Sequence, residues 1–328
     1  MLLHVLPFLL LLVSPIAHGQ DEENTCPSAD LIKPCKCKMY FDGACILTCS
    51  LSNQKVLQRV SEIPNLCSGH VHFVLVHSIV DGLPAKLWKT LLSSKTVDIT
   101  IKHAKVDGLL ASGDDEVPEV YTPGPAVIKV DHSKVGKFDW RVLKKFYSEE
   151  ELTLVIDDTP LKELSSDFSL IAEGQVHKLT IDSTGMTTVP DKLFVPFADI
   201  TSLSLQNNKL TSVSRSMLPS PASKLQYLHL TGNELTTLPS DLFSEMPVLE
   251  VVYLRNNKIT TLPQDIFEKV NSYKMQRFDI IHNPWECDCR LMWILNNNKF
   301  IVNMGECASP ESLKGKKVKD LDWLLQDC

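Results

Sequence analysis

Three histidines, His77, His103 and His132, recur 26 and 29 residues apart, and Asp131, Asp157, Asp158 and Asp182 fall at matching intervals beside them. Imidazoles and carboxylates gathered in this way could hold a zinc ion or respond to pH near neutrality, with Asp157 or Asp158 completing a set begun by the histidines. The same residues also suit a wetted polar surface on which Lys102, Lys129 and Lys178 balance the acids. A second group, Tyr227, His229, Tyr253, Arg255 and Arg277, combines the two residue types that dominate interface hot spots, so it is a candidate partner-contact patch. Lys314, Lys316, Lys317 and Lys319 form a short basic run that reads as a solvated face in preference to a polyanion site.

The ten cysteines are placed unevenly. Cys26, Cys35, Cys37, Cys45, Cys49 and Cys67 lie near one end, Cys287, Cys289, Cys307 and Cys328 near the other, and none falls in the 219 residues between. Both counts are even, as in an oxidised extracellular protein. The one-residue spacers of Cys35-Lys36-Cys37 and Cys287-Asp288-Cys289 are tighter than usual zinc-ligand spacing, which favours disulfides. The chain carries no Gly-rich phosphate loop, no G-x-S-x-G elbow and no H-E-x-x-H pair. It reads as a binding protein and not an enzyme, with no cofactor.

Something must set these residues at a common step, and an internal repeat does so. LEVVYLRNNKITTLPQDIF, from Leu249 to Phe267, stands beside LQYLHLTGNELTTLPSDLF, from Leu225 to Phe243. Both follow L-x-x-L-x-L-x-x-N-x-L-x-x-L-P, the form of a leucine-rich repeat. The frame extends both ways. Its asparagine position falls at residues 78, 104, 133, 159, 184, 208, 233, 257 and 283, with steps of 26, 29, 26, 25, 24, 25, 24 and 26. In the L-x-L segment alternate side chains point to one side, so each frame adds a strand to a parallel sheet whose apolar face only neighbouring repeats can cover.

The histidines fall one residue before the frame position, in the column His77, His103, His132, Asp158, Ser183, Asn207, Gly232, Asn256, His282, and are expected on the outward, concave side. Adjacent strands lie about 4.8 Å apart, so the three imidazoles should form one row. A frame asparagine can both donate to and accept from the backbone of adjacent repeats. Upstream it is replaced by Ser78, Ala104, Ser133, Thr159 and Thr184, so less regular turns are expected there. Phe243, Phe267, Phe194 and Trp88, each four residues past a proline, are expected to stack as an internal spine. GLLASGDDEVPEVYTPGPAV, from Gly108 to Val127, reads as a protruding loop.

With 328 residues, 44% hydrophobic and 22% charged, the composition is that of a folded protein. A net charge of -7 gives no general attraction to nucleic acid or anionic lipid. The apolar run Leu2 to Val13, followed by Ala17-His18-Gly19, reads as a secretory signal peptide, although no Lys or Arg precedes it. No membrane span is expected, since the run is shorter than the roughly 20 residues a spanning helix needs.

NPWECDCRLMWIL, then Cys307 and Cys328, closely resembles the cysteine-rich carboxyl-terminal cap of extracellular leucine-rich-repeat proteins, and CPSADLIKPCKCKMYFDGACILTCS resembles the matching amino-terminal cap. The resemblance implies Cys287–Cys307 and Cys289–Cys328, with Trp285 and Trp293 closing the core, and Cys26–Cys37 and Cys35–Cys49 at the other end. Cys45 and Cys67 are additional and are expected to pair with each other, although six cysteines allow fifteen connectivities. CPSADLIKPCKC also resembles the arthropod group named after the non-catalytic subunit of Oplophorus luciferase, which implies an accessory, partner-holding role.

The expected fold is therefore α/β: a leucine-rich-repeat solenoid, or horseshoe, with a parallel concave sheet, an irregular or short-helical convex side and disulfide-bonded caps. Residues 1–19 are assigned to the signal peptide, 20–70 to the amino cap, 71–283 to about nine repeats and 284–328 to the carboxyl cap. The expected function is a secreted protein that binds an extracellular protein partner through its concave face, as an accessory or scaffold subunit. The alternative is a stand-alone recognition protein in innate immunity or matrix adhesion.

Overall fold

The computed structural model describes residues 26–323 apart from 42, 64–65, 68, 112–119, 138–139, 145, 149, 162–163, 272 and 297–301. The segment assigned to the signal peptide, the middle of the Gly108 to Val127 loop, Phe138 and Cys328 lie outside the described residues.

Alternating apolar residues at a step of about 25 build one long sheet. Its twelve strands follow chain order: β1 (Lys36–Met39), β2 (Ala44–Ser50), β3 (His70–Val76), β4 (Thr96–Lys102), β5 (Ala126–Asp131), β6 (Leu152–Asp157), β7 (Val176–Asp182), β8 (Ser202–Ser204), β9 (Tyr227–His229), β10 (Val251–Tyr253), β11 (Arg277–Asp279) and β12 (Val302–Asn303). β1 and β2 pair antiparallel; from β2 onward each strand lies parallel to the next. In β4, Val97, Ile99 and Ile101 are buried while the residues between them are half-exposed, which is the alternation that the L-x-L segment demands.

Three strands of the sheet lie outside the nine frames: the antiparallel β1 and two parallel rungs, β2 and β12. β2, inside the amino cap, buries Leu47 and Cys49 and is followed by Ser52 in the frame place, so the cap itself supplies the first parallel rung. β12, inside the carboxyl cap, supplies the last. Each cap therefore hydrogen-bonds to the raw end of the array as well as covering it, which a stacked solenoid requires.

The strand-ending turns are uniform along the whole array, against the expectation of irregularity upstream. Every residue just before a frame position has positive φ: 49° at His77, 48° at His103, 45° at His132, 42° at Asp158, 55° at Ser183, 54° at Asn207, 71° at Gly232, 52° at Asn256 and 59° at His282. The differences lie in the hydrogen bonds. Asn208 Oδ1 accepts from the backbone N–H of Thr184, Gly185 and Met186, while its Nδ2 donates to the carbonyls of Ile181, Leu205 and Gln206. A hydroxyl does less: Ser133 Oγ donates to Asp131 O at 2.8 Å and accepts from Ala104 N at 3.2 Å. Upstream a second parallel sheet, Ile79–Val80, Lys105–Gly108 and Lys134–Lys137, takes up backbone groups just past the turn, with Lys105 N donating to Ser78 O and Lys134 N to Ala104 O. This ladder replaces what the missing amides would supply.

The convex side carries its two eight-residue α-helices at the start, followed by the shorter α-helix Arg141–Lys144 and by 3-10 turns at Ser166–Gly174 and Arg215–Met217. Asn53 caps the helix Gln54–Ser61 by accepting from Val56 N, and Ala85–Leu92 buries Leu87, Trp88, Leu91 and Leu92. The expected aromatic spine forms for Phe194, Phe243 and Phe267, in two separate runs that leave Trp88 outside. Trp140, Phe168, Phe194 and Phe197 make one, and Phe243, Phe278, Phe267 and Trp293 the other, with ring centroids 4.7 to 6.1 Å apart. Trp88 is buried and donates from Nε1 to Leu109 O.

Disulfides join Cys26 to Cys37, Cys35 to Cys49, Cys45 to Cys67 and Cys287 to Cys307. These are the pairs given above for those residues. Cys289 is also disulfide-bonded, while Cys328 lies outside the described residues. Trp285 is buried in the carboxyl cap and donates from Nε1 to Met304 O at 2.7 Å.

Candidate functional site

The histidine row forms, at a different place from the one expected. His77, His103 and His132 each sit one residue past the end of β3, β4 and β5, in the left-handed turn, so they occupy the rim of the sheet and not its face. The rings stack. His77 and His103 lie nearly parallel with centroids 5.4 Å apart, and His103 meets His132 edge-on at 5.1 Å. His132 ends the row between two carboxylates, with Nδ1 2.5 Å from Asp131 Oδ1 and Nε2 2.8 Å from Asp158 Oδ2. Among the described residues, one group of three or more His, Cys, Asp or Glu side chains has all its ligand atoms within 4.8 Å of one another: Cys37, Cys45 and Cys67, all of them disulfide-bonded. As the rings stand, the imidazole nitrogens spread along the row and do not meet at one point.

Of the acids in this region, Asp131 is buried and serves as an anchor. Lys102 Nζ approaches it at 3.3 Å and Lys129 Nζ at 3.5 Å. Burial opposes its ionisation, but His132 and the two lysines outweigh that and hold its carboxyl below the ordinary value. Asp182 goes the other way. Burial raises its pKa, the hydrogen bonds from Ser204 Oγ and the Gln206 amide only partly compensate, and the neighbouring Asp157 charge raises it further. Asp157 registers directly against Asp131 and Asp182 on the strands either side. Lys178, expected to balance these aspartates, pairs with Glu151 at 2.8 Å.

The second group is contiguous on the sheet face. Ser204, His229, Tyr253 and Asp279 face one another across β8 to β11, and Tyr227, Val251 and Arg277 form the adjacent column. His229 and Tyr253 stack with centroids 5.1 Å apart. The Arg277 guanidinium lies over the Tyr253 ring at 5.3 Å. Burial lowers the pKa of His229, so this ring is neutral at physiological pH.

What holds the patch is a residue that sequence reasoning passed over. Asp279 is fully buried at the end of β11. Its Oδ2 accepts from Arg277 Nη2 at 2.7 Å, from Arg277 Nε at 3.2 Å, and from Arg255 Nη2. Burial works against the charge, and the two arginines overcome it, keeping Asp279 ionised below the ordinary range. One carboxylate thus fixes two guanidinium groups that remain 34% and 47% exposed. The signal was present in the sequence, since an acid stands between the core residues Phe278 and Ile280, two places after an arginine.

Residues 223–275 match the family model described as leucine rich repeat. The leucine-rich repeat transmembrane protein FLRT2 of Rattus norvegicus is 28% identical over 191 residues, covering 57% of this chain and 27% of the relative. A phospholipase A2 inhibitor of Gloydius brevicaudus siniticus is 28% identical over 123 residues, covering 36% of this chain and 28% of the relative. The aligned stretches amount to about a quarter of the length of these relatives. Among solved structures, the leucine-rich-repeat region of FLRT2, in its octameric complex with Latrophilin 3 and Unc5D, superposes with a TM-score of 0.58 at 17% identity, over 90% of this chain and 97% of that one. Human 5T4 superposes with a TM-score of 0.57 at 14% identity over the same shares. Both likenesses establish the fold: a leucine-rich-repeat solenoid with a long parallel sheet, short helices and disulfides near its two ends.

Proposed function

We propose that this leucine-rich-repeat chain is a secreted, non-catalytic binding protein that holds an extracellular protein partner on the carboxyl-terminal half of its sheet, through Tyr227, His229, Tyr253, Arg255 and Arg277. The observation that carries the reading is the buried Asp279 with Arg255 and Arg277 drawn onto it beside the stacked rings of His229 and Tyr253. Long side chains normally lose freedom on binding, at about 0.5–1.5 kcal/mol each. Here the guanidinium groups are already held, so less is lost when a partner arrives. Tyrosine and arginine on adjacent rungs give the composition of an interface hot spot.

Several facts support an extracellular setting. The disulfides are those of an oxidising compartment. Among the described residues no helix is long and apolar enough to cross a membrane. The FLRT2 leucine-rich-repeat region, whose fold this chain shares, occurs in a complex with Latrophilin 3 and Unc5D. An accessory role, as in the arthropod group that the amino cap resembles, is the finer form of the proposal.

The test is capture from native extracellular fluid with the tagged full chain, followed by mass spectrometry, and then with the Tyr253→Ala/Arg255→Ala variant checked for fold by circular dichroism. A stoichiometric partner that the variant fails to retain supports the reading. A partner retained undiminished by the folded variant removes this patch from the proposal, and a monomer that adheres to microbes or matrix instead makes the chain a stand-alone recognition protein.

A further inference from the structure

Two disulfides of the amino cap touch. Cys37, bonded to Cys26, places its Sγ 3.7 Å from the Sγ of Cys45, which is bonded to Cys67. The sulfurs of Cys37, Cys45 and Cys67 all lie within 4.8 Å of one another. The two bonds differ in access. Cys45 and Cys67 are buried at 1% and 4% exposure, and so are Cys35, Cys49, Cys287 and Cys307, whereas Cys26 and Cys37 are half-exposed. Among bonds with both partners described, Cys26–Cys37 is the one a soluble thiol can reach.

We propose that the amino cap is a disulfide relay, in which a dithiol reductant entering at Cys26 is answered by rearrangement at Cys45 and Cys67. The reductant thiolate attacks Cys26 Sγ, the Cys26–Cys37 bond breaks, and Cys37 leaves as a thiolate. The second thiol of the reductant closes its own disulfide and releases Cys26 as a thiol. Cys37 Sγ then attacks Cys45 Sγ, a Cys37–Cys45 bond forms, the Cys45–Cys67 bond breaks, and Cys67 leaves as a thiolate that takes up a proton. Two electrons pass from the dithiol to the protein, and the two protons of the dithiol end on Cys26 and Cys67. Exchange of this kind proceeds through direct thiolate attack on a disulfide sulfur, so a sulfur already in contact has the advantage over any in solution.

The rearrangement changes what the cap is tied to. Cys45 lies in β2 and Cys67 lies three residues before β3, so their bond crosslinks the cap hairpin to the entry of the first full repeat. Cys37 lies in β1, which is hydrogen-bonded to β2, so a Cys37–Cys45 bond stays within the hairpin. The relay therefore converts a tether between cap and repeat into a crosslink internal to the cap.

The experiment is partial reduction of the folded full chain with dithiothreitol under native conditions, acid quenching, alkylation and peptide mapping of the amino-cap cysteines. The expected two-electron product carries label on Cys26 and Cys67 and yields a peptide crosslinked Cys37 to Cys45. Label on Cys26 and Cys37 with Cys45–Cys67 intact would overturn the relay, as would reduction of the buried Cys35–Cys49 bond ahead of Cys26–Cys37. The Cys26→Ser variant gives a second reading without reductant. Its free thiol should be found at Cys67, and a free thiol that stays at Cys37 also overturns the proposal.

Discussion

Arg277 donates from Nη2 to Asp279 Oδ2 at 2.7 Å across two residues of the same strand, and the carboxylate it reaches is completely enclosed. A strand places side chains i and i+2 on the same face, so the pair is local, while Arg255 reaches the same oxygen from the turn after the neighbouring rung. The sheet thereby carries one buried charge at the price of two partly exposed ones.

Removing that carboxylate should loosen both arginines. Asp279→Ala is expected to lower stability by about 2 kcal/mol, the scale of losing charge-assisted hydrogen bonds at a buried group, and to weaken partner capture even though Asp279 is itself too enclosed to touch a partner. Urea denaturation and the capture assay read the two effects. Unchanged stability would mean that the arginines need no anchor.

Acid should remove what Asp279 and Asp131 contribute, at a lower pH than an ordinary carboxylate would need. Both have folded pKa values below the ordinary 3.8, so their stabilising contribution is complete above that value and is lost as pH falls through the lowered folded values. Stability measured between pH 5 and about pH 2 should fall more steeply in the wild type than in Asp279→Asn or Asp131→Asn. Parallel curves would refute the assignment.

Asp182 should behave oppositely. Its folded pKa lies above 3.8, so whatever it contributes is present below that value and is lost as pH rises through the folded one. Asp182→Asn keeps an oxygen that can accept from Ser204 and the Gln206 amide and removes the half-buried charge. The variant is expected to be more stable than wild type at pH 7, with the advantage vanishing below the ordinary carboxylate range, as thermal melts at the two pH values would show.

The frame residues should rank by their hydrogen bonds. Asn257 donates to Leu230 O and Leu254 O at 3.0 Å and accepts from Leu235 N at 3.1 Å. Asn257→Ala strands the Leu235 N–H and leaves Leu230 O and Leu254 O with one amide donor each, from Asn233 and Asn283, so it should cost about 2 kcal/mol, whereas Ser133→Ala should cost about 1 kcal/mol. Comparable urea midpoints for the two variants would contradict the view that the second sheet relieves the upstream turns.

Arg277→Lys keeps the charge but loses the forked donors that grip Asp279 and the flat group over Tyr253. Partner affinity should drop about tenfold, equivalent to 1.4 kcal/mol. Affinity equal to wild type would show that charge alone suffices.

Much of this architecture was legible along the chain. The step between frame residues, the alternation in each L-x-L segment and the even cysteine counts at the two ends specify a stacked array with stapled lids, because these features act between near neighbours or repeat unchanged. β2 and β12 were missed because they lie in segments whose cysteines mark them as caps: Leu47, Cys49 and Ser52 occupy the frame places, but Cys49 reads as a disulfide partner and not as a repeat residue. The contiguity of Tyr227, His229, Tyr253, Arg255 and Arg277 also followed from the period, since register converts equal spacing into adjacency.

What spacing alone did not decide is direction. Counting residues put His77, His103 and His132 on the sheet face, but a left-handed φ at each rotates the side chain onto the rim and stacks the rings. Asp279 reads as one more outward polar position until Arg255 and Arg277 close over it. The order of residues determined which groups share a rung and which share a column. Backbone torsion at the turns and the burial produced by stacking decided where those groups point and which of them keep their charge, because both depend on neighbours about 25 positions away in sequence that meet only once the chain has coiled.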